Sequence, residues 1–171
     1  MALTRLGPNQ SVNLANNVTG TLPTANGGTG ATSFSPGKVL QVINATSTAE
    51  TVKSDSSTSD TGLTANITPA SSSNKVLVFA HIQGVGKDND GYVTLTLVRG
   101  STDLAIFEKR GADTDTSDTN KVGGCSITFL DSPSSTSATT YKVTVTGNGN
   151  NYAQVGDSNP THTITLMEIS A

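Results

Sequence analysis

The feature that most constrains this chain is a period of two. From Gly37 onward, short runs alternate an apolar side chain with a polar one, usually a hydroxyl, and clusters of Gly, Ser, Asp or Asn separate the runs. Val93, Leu95 and Leu97 alternate with Thr94 and Thr96, and Ile164 and Leu166 alternate with Thr163 and Thr165. Tyr141, Val143 and Val145 alternate with Lys142, Thr144 and Thr146. Successive side chains of a strand point to opposite faces, so each run makes one apolar and one polar face. By the same parity Val76, Val78, Ala80 and Ile82 share a core face, as do Cys125, Ile127 and Phe129. Strands are expected at about 38–43, 61–67, 75–85, 91–99, 103–109, 122–130, 139–147 and 161–169, with weaker ones at 50–53 and 152–155. Eight to ten short strands over about 135 residues imply a sandwich or barrel. The expected fold is all-β, a jelly-roll-like antiparallel β-sandwich.

Composition supports this and excludes other classes. The 171 residues include 28 Thr, 20 Ser, 14 Asn and 17 Gly. Such a chain is poor in helix formers and rich in turn formers, which argues against a helical bundle or a doubly wound α/β enzyme. Charged residues make up 13% and the net charge is −3, unlike the high charge of most disordered chains. No basic stripe is present to neutralise phosphates, so no nucleic-acid partner is expected. One cysteine, Cys125, excludes an internal disulfide framework and a cysteine-rich zinc site. No run approaches the roughly 18 apolar residues of a membrane span, so no membrane insertion is expected. Met1 to Gly20 has no apolar stretch of the signal-peptide kind, and synthesis in a cytoplasm is the expectation.

The composition shifts near residue 36. Residues 1–36 hold a single charged side chain, Arg5. Their apolar residues are isolated, and Gly27, Gly28 and Gly30 interrupt any regular element. The expected organisation is an extended N-terminal arm over 1–36 and a β-sandwich over 37–171. A free linker needs only Gly and Ser, yet Leu3, Leu6, Val12, Leu14, Val18 and Leu22 recur along the arm. These six, with Arg5 to orient them, suit an extended segment that fills small pockets on a partner.

Two strands break the alternation. Val39–Ile43 and Val76–Ala80 are apolar on both faces, and a sandwich has one interior. A long loop over the second face is one explanation. The other is a subunit interface carried by Leu40, Val42, Leu77 and Phe79, with a homotrimer as the expected assembly.

The segment Leu22-Pro23-Thr24-Ala25-Asn26-Gly27-Gly28-Thr29-Gly30 resembles one that recurs in tail fibres and other fibrous virion proteins of tailed bacteriophages. Further segments are similar to small structural proteins of phages that infect aquatic bacteria. They are Thr61-Gly62-Leu63, Ile67 to Val78, Leu130-Asp131-Ser132-Pro133, Ser137 to Lys142, and Ile164 to Ile169. Together they span residues 20 to 171. The resemblance implies a fibre-like virion structural protein, without deciding between tail and head, and supplies no catalytic residues.

Candidate chemistry is sparse. His81 and His162 are the only histidines, and no Gly-x-Ser-x-Gly or His-Glu-x-x-His is present, so no enzymatic activity is expected. Cys125 alternates inward and reads as a buried, inert thiol. Asp88 and Asp90, or Asp113, Asp115 and Asp118, could supply oxygens to Ca²⁺, but both runs read better as a hairpin turn and a solvated loop. No metal or cofactor is expected. Tyr92 or Tyr152 among polar loops could contact a host-surface glycan, although turn residues on a wet surface explain those loops as well. Three readings follow. The first is a fibre or spike component anchored to other virion proteins by its arm. The second is a capsid decoration or cement protein, and the third a free carbohydrate-binding module, which the absence of Trp disfavours.

Overall fold

Strands form wherever the period of two runs. The computed structural model describes residues 38–114, 118–149, 152–157 and 159–171. These lie in the unit Gly37–Ala171. In chain order the strands are β1 (Val39–Ser47), β2 (Thr51–Lys53), β3 (Thr58–Ile67), β4 (Lys75–Lys87) and β5 (Val93–Arg99). They continue as β6 (Thr102–Gly111), β7 (Asn120–Asp131), β8 (Thr139–Thr146), β9 (Ala153–Val155) and β10 (His162–Ile169). No helix occurs among the described residues.

The ten strands occupy eight lanes. β1 pairs with β10 and β2 pairs with β9, both antiparallel, so β1 and β2 run end to end beside β10 and β9. β4 pairs with β10 and β9 on one side and with β7 on the other. The first sheet, sheet A, therefore runs β1/β2, β10/β9, β4, β7. The second, sheet B, runs β3, β8, β5, β6.

The pairing is nested. The first lane pairs with the last, β3 with β8, β4 with β7, and β5 with β6. A chain folded back on itself in this way and rolled into two sheets is a jelly roll.

The core is the meeting of the two inner faces. Val76, Val78, Ala80, Ile82, Ile164 and Leu166 of sheet A pack against Leu63, Ile67, Leu95, Leu97, Val143 and Val145 of sheet B, all buried. Every core residue expected from parity on β4, β5, β8 and β10 is inside. Cys125, Ile127 and Phe129 also point inward but are only partly buried, because β7 is an edge lane.

Five of the ten strands, β1, β3, β4, β6 and β7, extend beyond their expected ends, and the other five are slightly shorter. β1 continues to Ser47 because Ile43 and Ala45 keep the inward parity. β3 starts at Thr58, within a Ser/Asp-rich stretch that reads as a turn; pairing of Thr58 with Thr146 overrides the local preference. The register then shifts between Asp60 and Thr64, where the buried Thr61 hydroxyl donates to the Val143 carbonyl at 2.8 Å. β5 starts late, at Val93, because Asp88-Asn89-Asp90-Gly91 closes a turn with Gly91 N–H donating to Asp88 O at 3.1 Å.

Candidate interaction surface

The two outer faces differ in chemistry. Sheet B carries threonine and charge at its outward positions: Thr94 lies opposite Thr146 and the buried Thr96 opposite the buried Thr144, flanked by the Lys142–Asp60 ion pair at 2.8 Å. Ile106 is the exception, at 57% exposure.

Sheet A presents an apolar band. Register places Val42 opposite Met167, Met167 opposite Leu77, and Leu77 opposite Leu130, one residue from each lane. The next row is Asn44, Thr165, Phe79 and Thr128, and the one after it Thr46, Thr163, His81 and Ser126. Leu40 and Val39 extend the apolar margin on β1. Val42 is 52% exposed, Leu130 50% and Phe79 41%, so no loop of the described chain covers this face.

Of the four residues expected at an interface, Val42, Leu77 and Phe79 lie on this one side of sheet A, and Leu40, exposed, sits in the register shift of β1 between Val39 and Gln41. Two more were detectable and missed. Leu130 and Met167 are apolar residues at the outward parity of β7 and β10, the test that singles out Leu77 and Phe79. The arm residues Leu3, Arg5, Leu6, Val12, Leu14, Val18 and Leu22 lie outside the described residues.

Beneath this face, the segments that carry the phage resemblance meet in two buried polar clamps. Asp131, at the end of β7, accepts the Tyr141 hydroxyl at 2.6 Å and Arg99 Nη1 at 2.7 and 2.8 Å. Asp131 belongs to sheet A, while Tyr141 and Arg99 belong to sheet B, so the clamp fastens the sheets together. Burial pushes the Tyr141 hydroxyl well above its ordinary pKa, and the bond to Asp131 adds to this.

Fully buried Glu168 is the second centre. It accepts hydrogen bonds from Gln41 Nε2 at 2.5 Å, Asn74 Nδ2 at 2.6 Å and the Ala70 N–H at 2.7 Å. Burial pushes its carboxyl up, but the bonds from Asn74, Gln41 and Ala70 together outweigh that and hold it below the ordinary value.

No protein-family model matches the chain. No curated protein matches it. Among solved structures the chain is similar to the infectious bursal disease virus VP2 subviral particle, with 10% identity and a TM-score of 0.39 over 77% of this chain. The match takes in 40% of that viral chain, so this chain spans less than half of its length.

Beside the polar end of the apolar face lies an open cleft of about 690 Å³, with His81, Lys121, Asp157, Asn159 and the glycines Gly84 and Gly124 in its walls. A Cβ on Gly124 would lie 2.6 Å from His81 Cε1, so glycine makes room for the imidazole. His81 Nδ1 bonds Ser126 Oγ at 2.7 Å.

His162, fully buried, is tied down on both sides. Nδ1 accepts the Gln83 N–H at 3.1 Å, which leaves Nε2–H to donate to the Ala49 carbonyl at 3.0 Å. Burial pushes its pKa down.

The candidate Ca²⁺ ligands are otherwise engaged or unassembled. Asp88 accepts the Asn89 N–H at 2.8 Å and Thr119 Oγ1 at 3.3 Å; Asp113 pairs with Arg110 at 2.5 Å. Asp115 lies outside the described residues. Among the described residues no group of three or more His, Cys, Asp or Glu could hold a metal ion. Cys125 is partly buried and its Sγ lies 3.6 Å from Glu108 Oε2; burial, with Glu108 beside it, pushes the thiol up to about 11. Tyr152 is committed to Gln154, its hydroxyl donating to Oε1 at 2.5 Å.

Proposed function

We propose that this chain is a structural protein of a bacteriophage virion, a fibre or spike component anchored by residues 1–36 and displaying the jelly roll as a knob. The observation that carries this reading is where the resembling segments lie in the fold. Asp131 comes from Leu130 to Pro133, Tyr141 from Ser137 to Lys142, Ala70 and Asn74 from Ile67 to Val78, and Glu168 from Ile164 to Ile169. These segments hold the clamps that fasten the sandwich, so the likeness is to residues that specify a fold. Jelly rolls suit this work because both ends of the sandwich are available for display. Many copies on one particle would turn weak host-surface contacts, for instance in the cleft beside His81, into avidity.

The test is a virion assembled with the chain lacking residues 1–30. The purified variant is expected to be folded by circular dichroism but absent from purified particles, while the full chain is labelled on the tail by immunogold. Full incorporation of the truncated chain would move the anchor into the sandwich. Label over the capsid shell would make the chain a decoration protein and overturn the fibre assignment.

A further inference from the structure

We infer that the free edge of β7 is a docking site for an extended, uncharged segment of a partner protein, which adds to sheet A as one further strand. This goes beyond the virion reading and does not depend on it.

The edge is open. β7 pairs with β4 on one side only. In an antiparallel pair every second residue turns its N–H and C=O away from the neighbouring strand. Among the described residues no hydrogen bond from outside the ladder reaches the backbone of residues 122–130. A stretch of that length at about 3.4 Å per residue exposes about 30 Å of edge, enough for about eight backbone hydrogen bonds.

The edge is also unguarded, unlike the other three. Proteins protect sheet edges with bulges, charges and proline. Register shifts interrupt β1 between Val39 and Gln41 and β3 between Asp60 and Thr64. β6 is shifted at three places and carries Asp103, Glu108, Lys109 and Arg110. β7 keeps a single register against β4 from Asn120 to Asp131, and residues 122–130 include no charged side chain and no proline. Glycine inside a strand marks a place where another backbone can come close. A Cβ on Gly123 would meet nothing within 4 Å, so the edge is bare there.

The side chains along the edge select the occupant. Cys125, Ile127 and Phe129 of β7 are only partly buried, as are Leu104 and Phe107 of β6, the facing edge of sheet B. An added strand with aliphatic residues at its inward positions covers this seam. Glu108 Oε2, 3.6 Å from Cys125 Sγ, suits a hydroxyl at the adjoining position. Donors and acceptors at strand spacing are what an extended polypeptide supplies, so the partner is a protein segment bound by strand addition. β7 of a second copy fits poorly. Antiparallel pairing centred on Cys125 or on Ser126 sets Phe129 against Lys121 or Gly123, which leaves the ring beside a charge or uncovered.

The experiment uses the full chain and a synthetic peptide of nine alternating valines and threonines with a polyethylene glycol tail for solubility. A second peptide carries N-methyl groups at the four backbone nitrogens of one edge, and a third at those of the other. Binding is read by fluorescence anisotropy, and its location by hydrogen–deuterium exchange with mass spectrometry. The unmodified peptide is expected to bind and to slow exchange within residues 120–131. One methylated peptide should bind about a hundredfold more weakly or worse, since each of four lost hydrogen bonds is worth about fivefold. Ile127→Lys, folded by circular dichroism, should lose the protection, and Val42→Lys on the far margin should keep it. Equal binding by all three peptides would mean apolar adsorption rather than strand addition. Protection at β1, β3 or β6 instead would place docking elsewhere. Amides of β7 that are protected without peptide and open on dilution would give the edge to a second copy. No binding of the unmodified peptide at millimolar concentration would mean that the edge takes no added strand. Each of these four results overturns the proposal.

Discussion

The Tyr141 hydroxyl donates to Asp131 Oδ2 at 2.6 Å, crossing from one sheet of the sandwich to the other. Arg99 reaches the same carboxylate from the neighbouring strand β5. Truncating one partner of such a group costs more than the bond is worth, because the remaining polar atoms stay buried. Tyr141→Phe, which leaves the Arg99 pair intact, is expected to cost about 1–2 kcal/mol in urea unfolding. Asp131→Ala strands both donors and is expected to cost about 3 kcal/mol. Equal losses for the two variants would mean that Arg99 contributes nothing to the clamp.

Glu168 gives the fold an acid limit. Its carboxyl titrates lower in the folded chain than its ordinary value, so the unfolded chain takes up its proton first. The stability it contributes is fully present above the unfolded value of about 4.3 and is lost as pH falls through the folded value. Asp55, held at about 2 by Ser57 and Lys53, acts in the same direction. Glu168→Gln places an amide where three donors converge and should lower the urea midpoint at pH 7. It should also flatten the fall below pH 4 relative to the parent chain. An unchanged acid slope in the variant would remove Glu168 from this role.

His162 sets a second, milder dependence. Its folded pKa is depressed by burial, so its contribution is complete above the unfolded value of about 6.5. That contribution is lost as pH falls through the folded value. Protonation must also displace the Gln83 N–H from Nδ1. Thermal unfolding between pH 7.5 and 5 should show the parent chain losing midpoint as the pH drops, and His162→Gln starting lower but changing less. Parallel curves would contradict this.

Cys125 should be slow to react. With its thiol pushed up to about 11, the thiolate fraction at pH 7.5 is about three-hundredfold below that of an ordinary cysteine near 8.5. Iodoacetamide labelling of the native chain is expected to lag the urea-unfolded chain by a similar factor. Equal rates would place the thiol in open solvent.

The alternation in Val76–Ile82 and Tyr141–Val145 made the strands and most of the core legible from sequence, because parity is a local property. Lane order was not legible. β1 pairs with β10, more than a hundred residues away, and nothing in Val39–Ser47 names that partner. The apolar face was therefore visible only in pieces, Leu40 and Val42 in one run and Leu77 and Phe79 in another. Register turned those pieces into one surface and added Met167 and Leu130. The clamps were hidden for a different reason. Glu168 shares the parity of Ile164 and Leu166, and Asp131 that of Ile127 and Phe129, so each is a charged residue at an inward position. That conflict signals a buried partner, but Asn74 and Tyr141 are identified only once the sheets are assembled.

The central proposal is a virion knob that assembles as a homotrimer with Leu40, Val42, Leu77 and Phe79 at the subunit interface. Light scattering of the purified full chain at micromolar concentration tests it most directly. The account predicts a single species of three times the 17.4 kDa chain mass. Leu130→Glu should reduce this to one chain with an unchanged circular dichroism spectrum, and Ile106→Glu on sheet B should leave it unaltered. A parent chain that stays at 17.4 kDa would contradict the account.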